Sequence, residues 1–425
     1  MSSPNPIPKI RRRILSLLFL MYVVNYLDRA NVGFAKIPMM ADLGFSEPVF
    51  GFGAGVFFVG YLLLQVPGAL AVERWSARKW MAAILVAWGL CTILLGFIRT
   101  PVEFYLARLL LGAAQAGFYP GVIVYLSHWF PERERARATS GFVLAIPVCM
   151  VIGGPLSALM LRIDWLGMPG WRWIYILQGL PAVALGLATL RLMTDRPRDA
   201  HWLTGEERDW LAAQLRSAAQ PHPSAAPSLW RAFRDRNALL LALALSAANV
   251  GNYAIVVYMP TLLKQASTLS VEAVTALTAL PFCAGMAGVV LAGRSSDHSG
   301  ERRLHTAIAL FAAGLLFAAS VIPGLPFAGT LLALCLMASC AYAWPPPYWV
   351  LPGMVLPPEI AAASIGFINA LGNLGGFFGP TIVGAVVGRG YSMGVAVLVL
   401  AASYFVAALA VLAVRKRAPA PQVNR

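Results

Sequence analysis

Three ionisable side chains stand well inside apolar runs of this sequence, and they are of the kinds that bind anions and carry protons. Of 18 acids only Asp28 lies deep in such a run, and of 33 bases only Arg29 and Arg108 do, while Glu103 and Glu272 sit at run edges. An ionisable group in an apolar span costs several kcal/mol unless paired or wet, so each is a functional candidate. Arginine grips a carboxylate through two parallel N–H···O bonds. Arg29 lies about six residues before the outer end of its run and Arg108 about four after the start of its own. At about 1.5 Å per residue both would lie about 6–9 Å below the same surface. Two guanidiniums at one depth suit an organic anion. Asp28 and Arg29 are helix neighbours pointing about 100° apart, so they do not readily pair with each other. One can face a cavity while the other contacts a neighbouring helix; alternatively both only neutralise charges within the fold. Desolvation and a nearby arginine pull a carboxylate's proton affinity in opposite senses, and that competition makes Asp28 the candidate proton carrier.

Neutral polar groups extend the set. Tyr26 shares the run of Asp28 and Arg29, and Tyr61, Asn249, Asn252 and Tyr253 fall mid-run. Asn369 and Asn373 are four apart and share a helix face. For each asparagine an interhelical hydrogen bond competes with substrate contact. The run from Ala343 to Trp349 holds three prolines, which break a helix; Trp344, Tyr348 and Trp349 there suit ring stacking, an inner gate or interfacial anchoring. No Gly-rich phosphate loop, His/Cys metal cluster or nucleophile–base–acid set can be assembled, so no metal and no cofactor is expected. The five cysteines all lie in apolar runs and form no disulfide framework.

The elements that hold these residues are membrane spans. Hydrophobic residues make up 59% of the 425 and charged residues 12%, against about 25% charged in a soluble domain. A span needs roughly 20 apolar residues. Twelve fit, at about 14–35, 50–72, 80–98, 104–128, 138–161, 172–192, 238–262, 272–293, 305–323, 328–350, 360–386 and 391–414. The basic start and first apolar run look like a signal peptide, but no small-residue cleavage site follows, so the run reads as a retained helix. A polar stretch, 194–237, separates residues 1–193 from 238–425 as a linker between two six-helix halves. The net charge of +15 does not point to nucleic acid, because the charges cluster between apolar runs. With the N-terminus inside, twenty-five of the 33 Lys and Arg fall in cytoplasmic segments and six, Lys36 among them, in outer loops. That bias puts both termini in the cytoplasm. The loop after the second span, with Glu73, Arg74 and Arg78, is echoed six spans later by Asp297, Arg302 and Arg303. Parallel repeats of this kind suit an alternating-access transporter.

That repeated loop resembles the signature of the major facilitator superfamily, with Ala69, Ser76 and Glu73 departing from it in the first copy and Gly293, Asp297, Gly300, Arg302 and Arg303 following it in the second. Asn25–Ala35, Gly112–Pro131, Asp195–Pro197, Ala200–Leu203, Gly300–Arg303 and Ile368–Pro380 are similar to the anion:cation symporter family within it. The resemblance implies an all-α membrane protein of twelve transmembrane helices in two pseudo-symmetric six-helix bundles, with first and fourth helices lining the cavity. It implies anion recognition by Arg29 and Arg108, and gating by the repeated loops. Where the family commonly has a proton-coupling glutamate, this chain has Gln115, which carries no proton but can hydrogen-bond substrate. The reading is a monomeric inner-membrane importer of a small organic carboxylate (a sugar acid, dicarboxylate or aromatic acid) in symport with H+. A uniporter or exchanger is the alternative because of Gln115. A membrane anion sensor and an intramembrane enzyme are weaker rivals, lacking an output domain and a catalytic set.

Overall fold

The computed structural model describes residues 5–218 and 233–415, with side chains throughout except at 66, 68–74, 132–133, 136, 140, 216–218, 358–359 and 362–363. The Pro/Ala/Ser-rich part of the linker, the side chains of Glu73 and Arg74, and part of the C-terminal tail lie outside these residues.

Every regular element among the described residues is a helix, and the long helices follow the apolar runs. They are α1 (Ser16–Leu43), α2 (Glu47–Arg74), α3 (Ala77–Leu95), α4 (Pro101–Gln115 and on through Phe118–Trp129), α5 (Glu132–Val143, then Ala145–Met160) and α6 (Gly170–Leu192). After a connector helix at Gly205–Ala218 come α7 (Arg236–Gln265), α8 (Val271–Leu277, then Ala279–Ser299), α9 (Arg303–Ala319), α10 (Phe327–Ala343), α11 (Pro358–Gly388) and α12 (Met393–Ala413). Ten spans among the described residues are long and apolar enough to cross a membrane, and α9 is a shorter apolar helix. α1 is 28 residues long but carries Asp28, Arg29, Lys36 and Asp42.

Local chemistry fixes the helix ends. The Ser76 hydroxyl accepts from the Lys79 amide, Thr100 and Glu103 form a reciprocal capping box, and Asp235 accepts from the Ala238 amide. Interior breaks follow proline. Pro120, Pro147 and Pro281 lack the N–H that would reach four residues back, and α4, α5 and α8 loosen at 116–117, 144 and 278. The proline run expected in the tenth span likewise ends α10 at Ala343 and leaves two short helices after it.

Two compact units are formed, Met1–His222 with Leu269–Ala279, and Pro223–Thr268 with Leu280–Arg425. In the first, α3 packs on α6, α2 on α4, and α1 on α5. In the second, α9 packs on α12 and α7 on α11. The α1–α5 and α3–α6 pairings thus recur six helices later. Large apolar side chains such as Leu63 (66% exposed), Leu291 (65%) and Leu409 (66%) face outward, as a lipid-facing exterior requires.

One contact governs the site. A Cβ on Gly60 would strike the Leu109 carbonyl, and one on Gly112 would strike the Phe57 carbonyl. Two missing side chains therefore let the α2 and α4 backbones touch. Gly112→Leu is expected to force them apart, costing about 1–3 kcal/mol. A lowered melting temperature by scanning fluorimetry of detergent-purified protein would show it, and an unchanged one would mean that the close approach is dispensable.

Candidate functional site

The α2–α4 contact brings one turn of α2 against the charged turn of α1. Phe57 and Tyr61, four residues apart on α2, reach Arg29. Its guanidinium carbon lies 4.6 Å from the Tyr61 ring centre, 5.3 Å from Tyr26 and 5.6 Å from Phe57. A cation over an aromatic face is held by the ring's quadrupole, by about 0.5–2 kcal/mol according to desolvation. Gln115 ends the first segment of α4, just before the break ahead of Pro120. Arg29 Nε donates to its Oε1 at 3.1 Å. Gln115 is fully buried, and Arg29 and Tyr26 are half-buried. Tyr26, Arg29, Tyr61 and Gln115 are thus brought together, with Gln115 steering the arginine.

Arg108 is placed differently from expectation. It is 2% exposed. Its guanidinium donates to the Ala54 carbonyl at 3.2 Å and reaches the Gly53 carbonyl at 3.4 Å, with its carbon 4.8 Å from Phe57. It touches the back of the ring cluster instead of standing on an open surface. The equal-depth argument fails for a structural reason. Pro38 does not stop α1 near residue 35; the helix runs through it to Gly44, whose φ of +65° ends it. Fourteen residues separate Arg29 from Leu43, about 21 Å of helix, whereas Arg108 follows Pro101 by seven, about 10 Å. The same extension puts Lys36, counted above as an outer-loop residue, inside α1. It is 2% exposed and ion-paired to Glu47 at 2.6 Å.

Asp28 is fully buried, and neither carboxylate oxygen completes a hydrogen bond; Thr92 and Arg108 act on it electrostatically. Asn25 and Asn31, one turn before and after on the same face, are also fully buried without hydrogen-bond partners. Burying such a stripe of polar groups is costly. Its three-residue spacing was legible; only Asp28 was singled out.

In the second unit the asparagines serve packing first. Asn249 Nδ2 donates to the Gly372 carbonyl at 2.9 Å, joining α7 to α11, and Asn373 Nδ2 donates to the Asn369 carbonyl at 3.0 Å. Asn252 accepts from the Tyr404 hydroxyl at 2.6 Å. Tyr253 and Asn369 are half-buried. Tyr348 is buried and donates to the Leu241 carbonyl at 2.7 Å, which makes it a packing group. Of the repeated loops, the first ties to the linker: Asp195 accepts from the Arg78 amide at 2.8 Å and from the Ser76 hydroxyl. The second closes on itself, Arg302 pairing with Asp297 at 2.7 Å, while Arg303 donates to the Val414 carbonyl at 2.9 Å.

Phe57, Tyr22 and Tyr119 were missed in the sequence. Tyr22 lies 5.0 Å from Tyr26 and 6.1 Å from Tyr119 between ring centres. The signal was the four-residue spacing of Tyr22 with Tyr26 and of Phe57 with Tyr61.

Among the described residues, helices with an apolar exterior and an arginine held among aromatic rings suit a multi-pass membrane carrier of small organic solutes. Residues 18–380 match the Major Facilitator Superfamily, and the chain belongs to that family. It is 40% identical to a putative tartrate transporter of Agrobacterium vitis, over 88% of this chain and 84% of that protein. It is 36% identical to a quinolone resistance transporter of Acinetobacter baumannii, over 88% and 86%, and 34% identical to the inner membrane transport protein RhmT of Escherichia coli, over 88% and 87%. In fold it is similar to a bacterial homologue of the human lysosomal transporter Spinster, inward-facing (TM-score 0.77, 17% identity, 97% and 99% covered). It is also similar to the inward-open xylose transporter XylE of Escherichia coli (TM-score 0.75, 17% identity, 95% and 96% covered).

Gln115→Leu removes the acceptor that orients Arg29. Carboxylate affinity is expected to fall about fivefold, the worth of one hydrogen bond, with the gel-filtration profile unchanged. Titration calorimetry measures it, and equal affinity would remove Gln115 as a positioning group.

Proposed function

We propose that this protein imports a small organic carboxylate across the inner membrane, with Arg29 as the anion-binding group and Asp28 as the proton carrier. The observation that carries this reading is the Arg29 guanidinium, ringed by Tyr26, Phe57 and Tyr61 and oriented by Gln115. Rings and an amide are neutral partners for a cation in a low-dielectric place, and a guanidinium carries five N–H donors, a number that suits a carboxylate. The names of the tartrate transporters among its relatives support an organic-anion substrate, as does the resemblance to the anion:cation symporters. The Lys and Arg bias supports cytoplasmic termini. Residues 1–193 and 238–425 would act as the two rocking halves of a monomer, joined by 194–237.

Arg108 serves this reading indirectly. It is the cation that acts on Asp28, and it shares Phe57 with Arg29. An anion that draws Arg29 toward itself displaces Phe57, and with it the environment of Arg108 and the proton on Asp28. Uniport or exchange is the second reading, and one observation favours it. Gln115 fills the family's usual glutamate position and already accepts from Arg29, so a single carboxylate would have to carry the proton.

Proteoliposome uptake of a radiolabelled carboxylate tests this. Arg29→Gln is expected to abolish both uptake and exchange. Asp28→Asn is expected to abolish uptake driven by a pH gradient while sparing exchange. Full uptake by Arg29→Gln would overturn the anion site, and gradient-driven uptake by Asp28→Asn would overturn the proton carrier.

A further inference from the structure

The first unit carries a second hollow, which none of Tyr26, Phe57, Tyr61 and Gln115 lines. Leu64 and Pro67 of α2, Trp80 and Ile84 of α3, and Ala113 and Ala114 of α4 enclose a crevice of about 190 Å³ that reaches Gly117. Leu64 is 45% exposed and Pro67 is exposed, so the crevice opens at the surface. It exists because α4 presents only alanine and glycine there, beside its loosened turn at 116–117. Water is a poor filling for an apolar hollow, and an empty one leaves its lining without dispersion partners.

Trp80 brings a polar atom to this lining. Its indole Nε1 is buried and has no hydrogen-bond partner, a costly state for a donor. Beside it Lys79 is exposed and forms no ion pair among the described residues, whereas Arg78 pairs with Asp195 at 3.9 Å. Both Lys79 and Trp80 belong to the first turn of α3, whose leading amides are already taken, that of Arg78 by Asp195 and that of Lys79 by Ser76. The helix end is therefore satisfied, and the Lys79 ammonium and the Trp80 N–H are what it leaves over. A free cation, an unmet donor and an apolar crevice thus lie side by side. A glycerophospholipid carries their complements in the same order: phosphate, ester carbonyl, acyl chain. We propose that the crevice holds an anionic glycerophospholipid of the bilayer, its phosphate on Lys79, an ester carbonyl on Trp80 Nε1 and an acyl chain between α2, α3 and α4. The proposal is independent of the carboxylate reading, because it uses none of the residues assigned to the solute or the proton.

Native mass spectrometry of the full chain, released from detergent containing equimolar phosphatidylglycerol and phosphatidylcholine of one acyl composition, tests it. Phosphatidylglycerol is expected to be retained about fivefold over phosphatidylcholine, the worth of one cation at an anionic headgroup. Lys79→Gln is expected to bring the two lipids level. Trp80→Phe is expected to lower retention of both about fivefold, because both carry the ester carbonyl. Ala114→Leu fills the crevice and is expected to lower both as well; should that variant fail to fold, the other two decide. Equal retention of the two lipids by the unsubstituted chain, a preference that survives Lys79→Gln, or retention unchanged by Trp80→Phe would each overturn the proposal. Displacement of phosphatidylglycerol by equimolar glycerol phosphate would overturn it too, by showing a headgroup site that makes no use of the crevice.

Discussion

A guanidinium inside an apolar span must be held by something, and in this protein the holding groups organise the first unit. Arg29 sits over the rings of Tyr26, Phe57 and Tyr61 and donates to Gln115. Each partner depends on an arrangement elsewhere. Phe57 and Tyr61 reach the arginine because Gly60 and Gly112 let α2 lie directly on α4. Gln115 is at the right level because α4 loosens immediately after it, ahead of Pro120. These partners are neutral, and that choice matters. A carboxylate in their place would pair with the guanidinium directly, whereas rings and an amide orient it without an opposite charge.

Asp28 faces the complementary problem. It lies fully buried, between Asn25 and Asn31 on one helix face and within reach of Thr92 and Arg108. Burying a carboxylate without hydrogen bonds is expensive, so the placing of the cation near it matters. Arg108 also links Asp28 with Arg29, because its guanidinium lies on the ring of Phe57 that flanks Arg29. In the proposed mechanism this shared ring is a short link between the two residues.

Much of this was written plainly in the chain. Apolar runs of spanning length, the Lys and Arg bias and the repeated loops pointed to a twelve-helix carrier, and the scarcity of deep charge singled out Asp28, Arg29 and Arg108. The roles of the two arginines could not be separated that way, because burial depends on neighbours and not on depth along one helix. The estimate of equal depth also failed, since no residue between 35 and 44 stops α1 and the helix extends through Lys36. Asn249 and Asn373 looked like ligand groups but hydrogen-bond to the backbone, a use that sequence does not distinguish. The aromatic enclosure went unread because its rings come from three helices, though the four-residue pairs Tyr22–Tyr26 and Phe57–Tyr61 were visible.

The most direct measurement is the distance between a bound carboxylate and Arg29. Rotational-echo solid-state NMR would use a carboxyl-13C acid that the reconstituted protein binds and 15N-labelled guanidinium groups, with Arg29→Lys to assign the signal. A carboxyl carbon within about 4 Å of guanidinium nitrogens, with the dephasing lost in Arg29→Lys, is the result this structure predicts. Dephasing that persists in Arg29→Lys, or a bound acid showing none, would contradict it.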